Sequence, residues 1–212
     1  MLNYKESVII AEKFEPYKRI SESSSKFNLA KFTDVNKSLF YTLENGTVGK
    51  LDIATGKILM ENKVHKDIIM DFDLSPCHEI LLTASKDKTS LVLNTKNLEV
   101  IRRFEPKNPV RNINTCQISP LFGSNTIDDD GKYHCVIAGG QESRNVTTTT
   151  SREAGFEILI YNIMFEEEIG AIHAHFGPVN KVTFSPNGKM IASGSEDASV
   201  KIHKLEDDYY LY

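Results

Sequence analysis

The stretch HKDIIMDFDLSPCHEILLTASKDKTSLVL, residues 65–93, aligns without a gap on HFGPVNKVTFSPNGKMIASGSEDASVKIH, residues 175–203. The offset is 110 residues, so His65 falls on His175, Ser75-Pro76 on Ser185-Pro186, Ser85 on Ser195 and Asp87 on Asp197. Those are 5 identities in 29 positions, and their order matters more than their number. A histidine is followed by a run ending in Ser-Pro, then a strand of small residues, then an aspartate turn. Repetition at a fixed spacing is the signature of one supersecondary unit used several times.

Two further copies fit between and before these. Residues 108–162 contain Ser119-Pro120, the small strand end Ala138-Gly139-Gly140 and a closing strand from Phe156 to Tyr161. Residues 38–52 supply Tyr41-Thr42, the turn Asn45-Gly46 and a closing strand from Thr47 to Leu51. Each unit closes on an aligned pair: Leu51-Asp52, Leu93-Asn94, Tyr161-Asn162 and His203-Lys204, at spacings of 42, 68 and 42 residues. The outer spacings match the roughly 40 to 45 residues of a four-stranded propeller blade. The middle one requires insertions, and the loop-like segments Leu121 to Asp129 and Gln141 to Gly155 supply them. The pattern is that of WD repeats, with the Trp-Asp pair replaced throughout. It predicts an all-β WD-repeat β-propeller of about four blades, at residues 1–61, 62–105, 106–172 and 173–212.

Strands are expected in β-rich, partly alternating segments such as Ser90 to Leu93 and Val179 to Phe184. Val8 to Ile10 and Phe27 to Phe32 read as earlier strands, and no stretch sustains helical periodicity. Asn45-Gly46 is a strong hairpin signal, because both residues tolerate positive φ, and it is expected to mark the outer hairpin of its blade.

Composition narrows the function. With 40% hydrophobic and 25% charged residues the 212-residue chain is ordinary for a globular protein. Its longest apolar runs fall far short of the roughly 20 residues that span a bilayer, and the start has no apolar signal segment. A cytoplasmic setting is expected, in which the Asn45 and Asn145 sequons stay unmodified. The net charge of −4 with dispersed basic residues argues against direct nucleic-acid binding. Cys77, Cys116 and Cys135 are too widely spaced for a disulfide framework or a zinc site and read as reduced, mostly buried thiols.

Ser193, His175 and Asp197 form a set that a search for nucleophilic catalysis selects. The same types recur at Thr83, His65 and Asp87, which no catalytic triad has reason to do. WD-repeat blades use these residue types, with the strand residue now occupied by His203, as a hydrogen-bonded network tying a blade's turn to the loop entering it. A structural blade network of His65, Thr83, Asp87, His175, Ser193, Asp197 and His203 is therefore expected, truncated in the earlier blade because Leu93 stands where His203 does. No catalytic, metal or cofactor residues are expected. Asp128 to Asp130 lacks the glycine and distal glutamate of a calcium loop, and His173 and His175 lack further ligands at spacing. Gly139-Gly140 ends a strand rather than opening a helix. Glu166 to Glu168 alternate faces on a strand and read as a solvated edge.

Three strings carry a closer resemblance: Ala84 to Thr89; Gly139 to Glu142 leading to Val146 to Thr149; and Phe165 to Gly170 leading to His175 to Asn180. With the Thr-rich insertion, Arg152 and Gly155 to Glu157, and the ending Asp207 to Tyr210, they resemble the I subunits of eukaryotic translation initiation factor three over nearly the whole chain. The resemblance implies a seven-bladed ring of which about four blades are present and the first three are lacking. It also implies a non-catalytic scaffold that supports messenger-RNA recruitment to the small ribosomal subunit and start-codon scanning, through contacts with subunits B and G. The two insertions are candidate docking loops. The alternative is a WD-repeat adaptor similar to the serine/threonine kinase receptor-associated proteins, which share the His-Phe-Gly-Pro string at His175 to Pro178.

Overall fold

The computed structural model describes residues 25–33, 37–107, 112–123, 133–140, 155–206 and 209. The expected strand at Val8 to Ile10 and most of both insertions lie outside them. Among the described residues there is no α-helix, and fifteen strands form four antiparallel sheets. The first sheet is β1 (Phe27–Phe32), β2 (Ser38–Leu43), β3 (Thr47–Asp52) and β4 (Ile58–Lys63). The second is β5 (Ile69–Leu74), β6 (Ile80–Ser85), β7 (Ser90–Asn94) and β8 (Val100–Phe104). The third is β9 (Asn112–Ile118), β10 (His134–Gly140), β11 (Ile158–Asn162) and β12 (Glu167–Ile172). The fourth is β13 (Val179–Phe184), β14 (Met190–Ser195) and β15 (Val200–Lys204). Strand neighbours in each sheet are neighbours in sequence, which is the up-and-down order of a propeller blade.

Alternation along the strands explains why the sheets stack. Successive residues of a strand point to opposite faces, and here both faces of the inner sheets are apolar. On β10, Cys135 and Ile137 join Leu82, Val92 and Phe104 of the second sheet, while Val136 and Ala138 join Val179, Val182 and Ile191 of the fourth. Phe40 and Val48 of the first sheet pack likewise on Ile69, Phe72 and Leu91 of the second. Cys116 and Cys135 sit in this core, where burial pushes both thiols well above the ordinary range, whereas Cys77 is exposed.

Polar ties cross the same seams along the first strands of the sheets. The Asn28 Nδ2 amide donates to the Ile69 carbonyl at 2.6 Å, and Asn114 does the same to Val179 at 3.2 Å. The Asp71 carboxylate accepts from Thr115 Oγ1 (2.8 Å), the Cys116 amide (3.2 Å) and Lys181 Nζ (2.5 Å), so one side chain of the second sheet holds the third and the fourth. Asp73 accepts from Lys31 Nζ at 2.9 Å and from the Ile118 amide at 3.1 Å.

The Asn45-Gly46 turn joins the two middle strands β2 and β3 rather than an outer hairpin. Gly46 alone takes positive φ (86°), and Asn45 instead accepts the Thr47 amide through Oδ1 at 3.1 Å. Gly46 also meets the next sheet: its carbonyl accepts the Val64 and His65 amides at 3.2 and 3.1 Å, and a Cβ there would lie 2.3 Å from the His65 carbonyl oxygen. Only glycine fits such a close approach at positive φ.

Candidate functional site

Each histidine of the repeated pattern lies in the loop entering its sheet, and each aspartate in the turn between that sheet's second and third strands. These turns are alike. The Ser85 and Ser195 amides donate to the Thr89 and Ser199 carbonyls at 3.1 and 3.2 Å, and both serines accept an aspartate amide through Oγ, from Asp87 at 3.1 Å and Asp197 at 3.3 Å. Lys88 and Ala198 take the left-handed conformation at φ 72° and 61°.

The side chains converge in the same way. His65 Nδ1 lies 3.0 Å from Asp87 Oδ2 and its Nε2 lies 2.8 Å from Thr83 Oγ1. His175 Nδ1 lies 2.9 Å from Asp197 Oδ2 and its Nε2 lies 2.7 Å from Ser193 Oγ. With Nδ1–H donating to the carboxylate, Nε2 is left to accept the hydroxyl proton. Each aspartate also takes the amide after its histidine, from Lys66 at 2.9 Å and from Phe176 at 3.1 Å.

The sequence reading missed one member of each set. Thr89 Oγ1 donates to Asp87 Oδ1 at 2.6 Å and lies 3.1 Å from His65 Nδ1, and Ser199 Oγ donates to Asp197 Oδ1 at 2.6 Å. The signal was present: a hydroxyl residue follows each aspartate by two positions, at the same offset of 110. Burial works to raise the Asp87 carboxyl, but the hydrogen bonds from His65, Thr89 and the Lys66 amide outweigh it and hold Asp87 well below the usual carboxylate range. For Asp197 the Ser199 hydroxyl is the leading cause, and that carboxyl too is held well below its ordinary value.

His203 stands outside the set in which the sequence reading placed it. Its buried Nε2 has no hydrogen-bond partner, and burial followed by the nearby His175 and Lys201 lowers its pKa. Register gives the reason. His203 pairs with Ile191, whereas Ser193 pairs with Lys201, so the hydroxyl lies on the diagonal. That separation is roughly 7–8 Å, and the Ser193 hydroxyl is already bound to His175 Nε2 at 2.7 Å.

Ser193, His175 and Asp197 have the hydrogen-bonded order of an acyl-transfer triad. Ser193 nevertheless lies on the central strand of its sheet, paired on both sides and 2% exposed, so no substrate carbonyl can approach Oγ. The cavity beside His175, lined by Phe156, Glu157, His173 and Phe176, has a volume of about 110 Å³. Small-molecule pockets begin at roughly 300 Å³. His173 Nδ1 lies 3.5 Å from Glu157 Oε1, and among the described residues no three potential metal ligands converge. Asp128 to Asp130 lie outside the described residues. What the network does is fix the loop entering each sheet against the turn beside it, through buried groups that satisfy one another.

The WD domain, G-beta repeat family matches residues 56–92 and 166–204. The eukaryotic translation initiation factor 3 subunit I of Botryotinia fuckeliana is 36% identical over 193 residues, which cover 90% of this chain and 54% of that protein. The Xenopus tropicalis protein of the same name is 35% identical over 196 residues (92% and 56%), and the Homo sapiens one 34% over 198 (93% and 57%). The chain spans about half the length of these curated relatives.

Proposed function

We propose, for a chain that is a WD-repeat relative of the I subunits of eukaryotic translation initiation factor 3, a non-catalytic scaffold role in that factor. In this reading it works in the cytoplasm through protein contacts, with subunits B and G as its partners. It supports messenger-RNA recruitment to the small ribosomal subunit and start-codon scanning without touching nucleic acid or membrane itself.

The observation that carries the reading is similarity over 90% of the chain, wide enough to take in all four sheets rather than a single repeat. The site chemistry supports it. The polar side chains that would make a triad are used up in tying loops to turns, and loops held on stacked sheets are what a scaffold presents to partners.

The test is a pull-down of the tagged, folded chain from a eukaryotic lysate, with mass spectrometry of the bound proteins. Recovery of subunits B and G is expected. A folded bait that recovers neither, and instead recovers signalling or RNA-assembly proteins, rejects this reading in favour of the adaptor.

A further inference from the structure

Two polar contacts repeat where one sheet stacks on the next. Asn28 Nδ2 donates to the Ile69 carbonyl of the second sheet, and Asn114 Nδ2 to the Val179 carbonyl of the fourth. Asp73 accepts the Ile118 amide of the third sheet, and Gln117 Oε1 accepts the Phe184 amide of the fourth. Register shows what the fourth sheet holds in the same places. Phe27, Ile113 and Val179 pair with Leu43, Gly139 and Ser195, so Asn180 is the equivalent of Asn28 and Asn114. Asp73, Gln117 and Thr183 pair with Leu82, Val136 and Ala192, so Thr183 is the equivalent of Asp73 and Gln117. Asn180 and Thr183 are both exposed.

The apolar contacts follow the same rule. The third sheet turns Ile158 and Ile160 onto the fourth. Their equivalents on the fourth sheet are Val200 and Ile202, 77% and 70% exposed. A surface shaped to receive them lies on the first sheet. There Ala30 and Leu39 occupy the places of Val182 and Ile191, which take the third sheet. With Phe27, Tyr41 and Leu51 they line an open apolar cavity of about 260 Å³. Phe27 and Phe32 beside it are 45% and 62% exposed.

We propose that the open face of the fourth sheet docks the first sheet of a second copy of this chain. In that seam Val200 and Ile202 enter the first-sheet cavity, Asn180 donates to the Phe27 carbonyl, and Thr183 accepts the Phe32 amide. The Thr183 hydroxyl donates to the Phe184 carbonyl at 3.2 Å, which leaves its lone pairs for that amide. Both halves of the seam belong to one chain, which is why the occupant is a second copy. Head-to-tail contacts form a ring where the rotation closes. Two copies of four sheets bring eight, within the range of four to eight blades that propellers use. The proposal does not depend on the initiation-factor reading.

The test is sedimentation equilibrium of the full chain at about 1 to 100 μM. The parent should reach twice the chain mass. The Val200→Glu, Ile202→Glu double variant should stay at the mass of one chain, as should Ala30→Glu, which puts a carboxylate into the cavity. Asn180→Ala should raise the dissociation constant about tenfold, since the contact is made in both seams. An equimolar mixture of the double variant and Ala30→Glu should associate again, because one seam per pair is then intact; a misfolded variant could not do this. A parent that stays monomeric throughout, a double variant that associates like the parent, or a mixture that does not associate overturns the proposal.

Discussion

The second and fourth sheets carry the same hydrogen-bonded set in different surroundings. At the offset that superposes the repeats, Val92 and Ile202 are equivalent, yet Val92 is 1% exposed against the third sheet and Ile202 is 70% exposed. β7 is buried at four of its five positions, whereas β15 alternates between exposed and half-buried. The histidine-to-aspartate distance is nonetheless 3.0 Å in one and 2.9 Å in the other. The network is therefore written within each unit, by a loop and a turn about twenty residues apart, and does not wait for a neighbouring sheet. Burial of the rest of the unit does.

Removing the carboxylates is the strongest way to break that equivalence. Asp87→Ala leaves His65, 2% exposed, and the Lys66 amide without their acceptor, at a cost of about 3 kcal/mol. Asp197→Ala removes the same partners from a sheet whose last strand is already open to water, at about 2 kcal/mol. Stacked repeats lose stability locally, so the check is amide hydrogen exchange, with protection falling in β6 and β7 for the first variant and in β14 and β15 for the second. Uniform loss across all four sheets in either variant would show that the networks act globally.

Gly46→Ala probes how the earlier network is seated on the sheet before it. The added Cβ would meet the His65 carbonyl at 2.3 Å in a residue at φ 86°, so the loop carrying His65 must shift. A loss of about 2 kcal/mol is expected, read as a lower urea midpoint with exchange rising first at Val64 and His65. The fourth sheet should keep its protection. An unchanged midpoint would mean that the His65 loop yields without strain.

The difference between what was and was not legible follows the same division. His65, Thr83 and Asp87, and their equivalents His175, Ser193 and Asp197, were readable because a repeat superposes residue types without needing coordinates. Thr89 and Ser199 went unread although they repeat too, since a hydroxyl near a turn usually caps its own backbone and their second bond, to the aspartate carboxylate, is visible only in three dimensions. His203 was misplaced because alignment fixes a strand position but not whether a side chain spans a diagonal. The Asp71 hub joining three sheets left no sequence signal, as its partners Thr115 and Lys181 lie 44 and 110 residues away.

The smallest expected effect concerns that misplaced histidine and sharpens the comparison by making the fourth sheet resemble the second. His203→Leu installs the residue that the earlier unit carries as Leu93, which is fully buried in the core there. Removing a buried nitrogen that has no partner should stabilise the chain by about 1 kcal/mol at pH 8. The pH dependence identifies the cause. The folded state lowers the pKa of His203, through burial first and then the nearby His175 and Lys201, so the unfolded chain takes up the proton first as pH falls. Stability linked to this group is then fully present above its ordinary pKa, near 6.5, and declines as pH drops from there toward the lowered folded value. Asp87 and Asp197 act in a separate window: their depressed pKa values give stability that is present above the ordinary carboxylate range near 4 and is lost only as pH falls below it. Urea midpoints between pH 8 and pH 5 should thus fall in the parent chain and fall less in His203→Leu. Parallel slopes in the two proteins would assign the loss to another histidine.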